Sequence, residues 1–179
     1  MDLREGYRQT EIGVIPSGWI QVVLPEVAEI ISGGTPKTNV PSYWGGSIPW
    51  LTVADFNTGC RWVHNAEKKI TEKGLSESAT AMLLQGDIII SARGTVGVLA
   101  QLARPMAFNQ SCYGLRAKTR IVDRNYVYYA LKQSISNFQQ VAYGGVFDTI
   151  TRNSFNNIRI NLPPIPEQQA IATALSDID

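Results

Sequence analysis

The chain has 179 residues, 44% hydrophobic and 17% charged, with a formal net charge of +1; that is one domain with little to spare, and the composition excludes a disordered or fibrous protein. No apolar run approaches the roughly 20 residues of a membrane helix, and the polar, mixed-charge start from Met1 to Gly13 does not read as a signal peptide. Two cysteines, Cys60 and Cys112, are too few for a disulfide framework, so the sequence reads as a reduced, cytoplasmic protein.

In chain order, the segment up to Pro16 reads as an irregular arm. A strand is expected from Trp19 to Leu24, then a short helical turn around Pro25–Ile31, then the loop Ser32-Gly33-Gly34-Thr35-Pro36, built of turn residues. Ile48 to Val53 is a strand candidate, and Thr71 to Ala81 a short helix frayed at Gly74. Two apolar runs, Asp87–Ser91 and Val96–Ala103, flank Ala92-Arg93-Gly94-Thr95 and predict a hairpin with a glycine where a positive φ is needed. Cys112 to Ala117 is a further strand.

Asp123 is placed to cap a helix, in which Val127, Leu131, Ile135 and Phe138 recur along one face; Gly144-Gly145 ends that region. Asn157 to Leu162 alternates as a half-buried strand does. Pro163-Pro164-Ile165-Pro166 then opens a last helix, because proline's preset φ suits a first turn. Ile171, Leu175 and Ile178 follow at spacings of four and three, a coiled-coil seam too short to be stable alone. Short strands mixed with three or four helices predict an α+β fold rather than a repeated βαβ unit.

No complete catalytic set appears. Gly94-Thr95-Val96-Gly97 lies between strands and lacks the spacing of a cofactor loop. Pro36 removes an N–H that a phosphate loop at Gly33–Thr38 would use. Asn161-Leu162-Pro163-Pro164 departs from the N-P-P-aromatic motif of amino-methyltransferases. Cys60 and His64 have the spacing of two metal ligands, but structural zinc needs four, and no metal is expected. The sequence reads as a binder.

The charge is unevenly spread. Residues 1–36 hold two basic and five acidic side chains, residues 37–160 fourteen and seven, and residues 161–179 none and three. A positive middle attracts polyanions whatever the total. Aromatic and amide side chains share that middle: Asn and Gln pair with adenine and Arg or Lys with guanine, each good pair discriminating by roughly 1–3 kcal/mol.

Taken in order, Gly34-Thr35-Pro36, Tyr43-Trp44-Gly45-Gly46-Ser47-Ile48-Pro49-Trp50, Gly86-Asp87-Ile88-Ile89, Arg93-Gly94-Thr95-Val96-Gly97 and Asn109-Gln110 resemble the target-recognition domain of type I restriction-modification specificity subunits. Pro163 to Ile171 resembles that family's entry into its spacer helix. The resemblance runs from about Thr10 to Asp179 and divides the chain into a recognition domain, 1–162, and the start of a spacer helix, 163–179. It implies a twisted, mostly antiparallel sheet with short helices and no catalysis by the chain itself.

The same resemblance implies that each recognition domain reads one half of a split target in double-stranded DNA. The implied partners are modification subunits, which hold S-adenosylmethionine, a restriction subunit, which uses ATP, and a second half-subunit that mimics full length. The expected DNA face comprises Thr35, Lys37, Tyr43, Trp44, Arg93, Thr95, Asn109, Gln110, Tyr143 and Arg152. The expected subunit interface comprises Glu167, Gln168, Ile171, Leu175 and Ile178. Two rival readings are a recognition fragment of a fused restriction-methyltransferase and a regulatory interaction module that does not touch DNA.

Overall fold

The structure, a computed structural model, describes residues 5–11, 13–141 and 149–179, and their side chains except at 137–141. The chain opens with an antiparallel hairpin, Tyr7–Thr10 (β1) against Gly13–Pro16 (β2), where the sequence predicts an irregular arm. Ile15 is the one side chain of the two strands that is buried, so no apolar alternation marks them. Ile20–Val23 (β3) leads into a single turn, Leu24–Val27 (α1). The expected turn stops there, because Ala28–Ser32 is already a strand (β4): Ala28 and Ile30 point in and Glu29 points out, period two rather than 3.6.

Trp44–Leu51 (β5) starts four residues earlier than expected, since an irregularity between Trp44 and Ile48, both opposite Ile70, interrupts its pattern. Val53–Phe56 (α2) is one turn, closed by the reciprocal capping of Thr52 and Asp55. Trp62–Val63 (β6) and Lys68–Ile70 (β7) follow. Glu72–Ser76 (α3) is shorter than the helix expected over Thr71–Ala81; Thr71 caps it by accepting from the Gly74 N–H at 3.0 Å. Next come Met82–Leu83 (β8), Ile88–Ser91 (β9), Leu99–Leu102 (β10), Met106–Phe108 (β11) and Cys112–Ala117 (β12).

Arg124–Val141 (α4) begins where Asp123 predicts, its carboxylate accepting from the Asn125 and Tyr126 N–H groups at 2.9 Å each. A 3-10 turn over Arg152–Asn157 takes the first residue of the expected terminal strand, which is Arg159–Leu162 (β13). Ile165–Ser176 (α5) ends the fold, with Pro166 in its first turn. Among the described residues no helix is long and apolar enough to cross a membrane.

Two sheets carry the domain, one ordered β4-β12-β9-β10-β6 and one ordered β7-β5-β11-β8. Their ladders are antiparallel apart from β10–β6 and β11–β5. The fold is thus α+β and mostly antiparallel, with its strands divided between sheets. The five-stranded sheet is covered on both faces. Ile88, Ile90 and Leu115 pack with Val127, Leu131 and Phe155 on one side. Ile89, Ala100 and Cys112 pack with Leu51, Leu83 and Phe108 on the other. Two covered faces account for the unbroken run Ile88-Ile89-Ile90, since alternate side chains face opposite ways and each finds a core. A separate two-stranded ladder, β13–β3, joins the start of the domain to its end.

Candidate nucleic-acid interface

At one end of the five-stranded sheet β4 stops at Ser32 and β9 at Ser91, while β12 starts at Cys112. Tyr113 lies opposite Ser32, and Cys112 opposite Ser91. Antiparallel neighbours must turn at a shared end, so three loops leave the sheet side by side. Backbone bonds tie them together: Ala92 N–H to Ser111 O at 2.8 Å, Ile150 N–H to Ala92 O at 2.9 Å, and Gly34 N–H to Phe108 O at 3.1 Å. Side chains add to this. Thr35 donates its hydroxyl to the Gln110 side-chain oxygen, Arg152 Nη1 donates to Ser32 Oγ at 3.4 Å, and Arg93 forms a backbone bridge with Thr149.

The turn 92–98 is longer than the four residues expected, and its shape is set from below. Ser91 is fully buried. Its Oγ accepts from the Val98 N–H at 2.8 Å and donates to the Thr95 carbonyl, while Gly97 N–H donates to Ser91 O at 2.9 Å. Gly94 and Gly97 take φ values of 75° and 86°, where a side chain is strained. This holds Arg93, Gly94 and Thr95 exposed at the tip. Sequence reasoning missed Ser91; a small hydroxyl residue leading into a glycine turn is the signal that could have found it.

The loop after Ser32 is held by close packing. A Cβ on Gly33 would collide with the Asn109 carbonyl, and one on Gly34 with the backbone of Ala79 and Thr80. Trp50, 4% exposed, donates its indole N–H to Gly34 O at 3.0 Å. Trp44 meets Trp50 edge to face at 5.2 Å and donates to Lys37 O at 3.2 Å. Beside Trp44 an open groove runs past Gly45 and Gly46 to Lys68 and Lys69, two exposed cations that sequence reasoning also passed over, although they stand adjacent in the basic middle.

The structure therefore brings together Thr35, Arg93, Thr95, Gln110 and Arg152; the exposed Lys37 stands two residues further along the Thr35 loop, with the half-buried Trp44 against its carbonyl. Asn109 is half-buried and caps the turn, accepting from the Ser111 N–H at 3.1 Å. Tyr43 points inward: it is 8% exposed, and its hydroxyl donates to Glu77 at 2.6 Å, a bond to a carboxylate that raises the phenol's pKa. Tyr143 lies outside the described residues. Among the described residues the ion pairs are Arg116–Asp87, Lys132–Asp179 and Arg159–Glu11, and none of them uses a cation of these loops. A surface with cations, a hydroxyl and an amide on rigid, glycine-lined loops suits a polyanion whose edges carry donors and acceptors.

On the terminal helix, Gln168 is 1% exposed and serves the fold: its oxygen accepts from the Asp123 N–H and its nitrogen donates to Pro163 O, both at 2.8 Å. Glu167 accepts from the Trp19 indole at 3.1 Å. Ile171 is half-buried against the main core. Leu175 and Ile178 face outward, 37% and 80% exposed. Cys60 and His64 border one groove, and among the described residues no three His, Cys, Asp or Glu side chains gather as a metal site would require.

Residues 16–179 match the family described as the type I restriction modification DNA specificity domain. The chain is 31% identical over 176 residues to the MjaIX specificity subunit of Methanocaldococcus jannaschii, covering 97% of this chain and 40% of that protein. Its fold is similar to the crystal structure of the HsdS subunit from Thermoanaerobacter tengcongensis, with a TM-score of 0.70 and 25% identity, over 97% of this chain and 40% of that one. It is equally similar, at a TM-score of 0.70 and 26% identity, to a chain from a structure concerned with the assembly and conformational transition of the type I R-M system, over 92% of this chain and 39% of that one. The chain thus spans about 40% of the length of the relatives it matches.

Proposed function

This chain belongs to the family of type I restriction modification DNA specificity domains, and from that membership we propose that it reads one half of a split double-stranded DNA target and catalyses nothing itself. The observation that supports the reading is the convergence of Thr35, Arg93, Thr95, Gln110 and Arg152 at one sheet end, with loops already braced and Lys37 on the same loop as Thr35. Preformed loops spare the ordering cost that binding otherwise carries. In this reading Lys37 and Arg152 meet phosphates, while Arg93, Thr95 and Gln110 meet base edges and Asn109 keeps the turn below them in shape. Methylation and cleavage fall to modification and restriction subunits that hold S-adenosylmethionine and ATP. The outward Leu175 and Ile178 form part of the surface on which partners, or a second half-subunit, assemble.

Binding of cognate and scrambled duplexes over a salt series tests the reading. The affinity should fall with a log–log slope of about 0.9 per phosphate neutralised. Lys37→Ala should weaken all sequences alike and flatten that slope. Gln110→Ala and Arg93→Ala should each cost about 1–3 kcal/mol on the cognate half-site and little on scrambled DNA. A folded chain that binds neither duplex at low salt would overturn it.

A further inference from the structure

We propose that Arg61 fixes the direction in which α5 leaves the domain. Arg61 directly precedes β6, at the edge of the five-stranded sheet, and is 8% exposed. Its guanidinium makes four hydrogen bonds: Nε to Gln101 Oε1 at 2.7 Å, Nη1 to the Tyr129 hydroxyl at 2.8 Å and to Ser176 Oγ at 2.6 Å, and Nη2 to Asn125 Oδ1 at 2.9 Å. Those acceptors stand on β10, α4 and α5. The guanidinium carbon also lies 4.8 Å from the Tyr129 ring centre, 4.9 Å from Trp62 and 5.2 Å from Tyr128. One planar fork thus touches β6, β10, α4 and α5.

None of the four acceptors is charged. The nearest carboxylate in the network, Asp179, accepts a hydrogen bond from the Tyr129 hydroxyl at 2.6 Å, one bond removed from the guanidinium. Among the described residues Arg61 has no direct counter-ion, and a buried charge so placed bears a desolvation cost that neutral partners only partly offset, so added stability is a poor account of it. Geometry is a better one. The rigid fork of arginine prescribes where its acceptors stand, as a lysine ammonium does not. Ser176 Oγ in turn donates to the Ala172 carbonyl at 2.7 Å, so the hydroxyl that receives the guanidinium is itself fixed to the helix.

The position of Ser176 decides what is gained. The first turn of α5 is held by Gln168 and by the Trp19–Glu167 bond. A helix held at one end pivots about it. Ser176 lies eight residues beyond Gln168, about 12 Å along the axis at 1.5 Å per residue, and a second anchor at that distance defines the axis. Ala172 and Ile171 pack between the anchors, and they seat the helix without setting its far end. The inference leans on the proposed function only for what a fixed axis is used for, namely holding the partner-binding end of α5 at a set angle to the DNA loops.

Backbone residual dipolar couplings on the 179-residue chain, without DNA, provide the test. In the wild type the amides of Gln168–Ser176 should fit the alignment tensor of β9, β10 and β12. Arg61→Met keeps an apolar stem and removes every donor; the α5 couplings should shrink and leave the common fit, while those of the sheet stay within it. Tyr129→Phe with Ser176→Ala removes both acceptors of Nη1, including the one on α5, and leaves Arg61 bonded to Gln101 and Asn125; it should give the same loss. Couplings of α5 that still fit the sheet tensor in either folded variant would overturn the proposal. Loss of the whole fold in both variants also counts against it, because a pin for one helix is not a condition of folding. Salt-dependent DNA binding measured on the same samples keeps this outcome separate from the fate of the DNA reading.

Discussion

An added Cβ at Gly34 would meet the backbone of Ala79 and Thr80, whereas at Gly45, with φ at 76°, it would meet nothing within 4 Å. The two glycines therefore answer to different physics, one to close packing and one to left-handed backbone. Gly34→Ala should cost about 1–3 kcal/mol as an overpacked contact and should shift the amide resonances of Thr80 and Phe108. Gly45→Ala should cost about 1–2 kcal/mol of left-handed strain and leave those resonances in place. Thermal melts with amide spectra separate the two, and unshifted Thr80 and Phe108 signals in Gly34→Ala would contradict the packing account. The cysteines divide in a similar way. Burial pushes the Cys112 thiol up to about 12, so its reactive thiolate is scarce at neutral pH, while Cys60 is exposed. Alkylation of the native chain at pH 8 should add one adduct by intact mass, at Cys60, with Cys112 reacting only after denaturation. Two adducts on the native chain would contradict this.

Elements were legible where their pattern is strong. The triple isoleucine of β9, the strand Cys112–Ala117 and the Asp123 cap of α4 each carry a local signal, and each stands where it was read. The two-residue strands β6 and β8 are too short to show any period, and the pairing that creates them is tertiary. For the candidate interface, residue type and order were enough to collect Thr35, Arg93, Gln110 and Arg152. They could not say which way a side chain faces. Tyr43 turns inward because Gly74 of α3 packs on its carbonyl and Glu77 takes its hydroxyl, and neither fact is local. The same holds on α5, where Gln168 belongs to the fold. Assembly is best probed there at Leu175 and Ile178, since Ile171 already packs against the chain's own core. Leu175→Glu with Ile178→Glu should leave unfolding within about 0.5 kcal/mol of wild type, as exposed substitutions do, and should weaken association with modification subunits in sedimentation. Unchanged association would remove this face from the assembly surface.

At the scale of the molecule, a total charge of +1 hides an acidic start, a basic middle and an acidic end. The sheet packing gathers several of the basic side chains at the loop end, where field and shape act together. The ends of the domain meet elsewhere, in the ladder between β3 and β13. Ile20 lies opposite Leu162 and Val23 opposite Arg159, so the chain enters and leaves at the same end of that ladder. Tension applied at Ile20 and Leu162 therefore peels the ladder one residue pair at a time, instead of shearing all its hydrogen bonds together. Peeling meets little resistance. Under load α5 must first come away from its anchors at Gln168 and Ser176; the ladder is then the next seam in line, ahead of the five-stranded sheet and its loops.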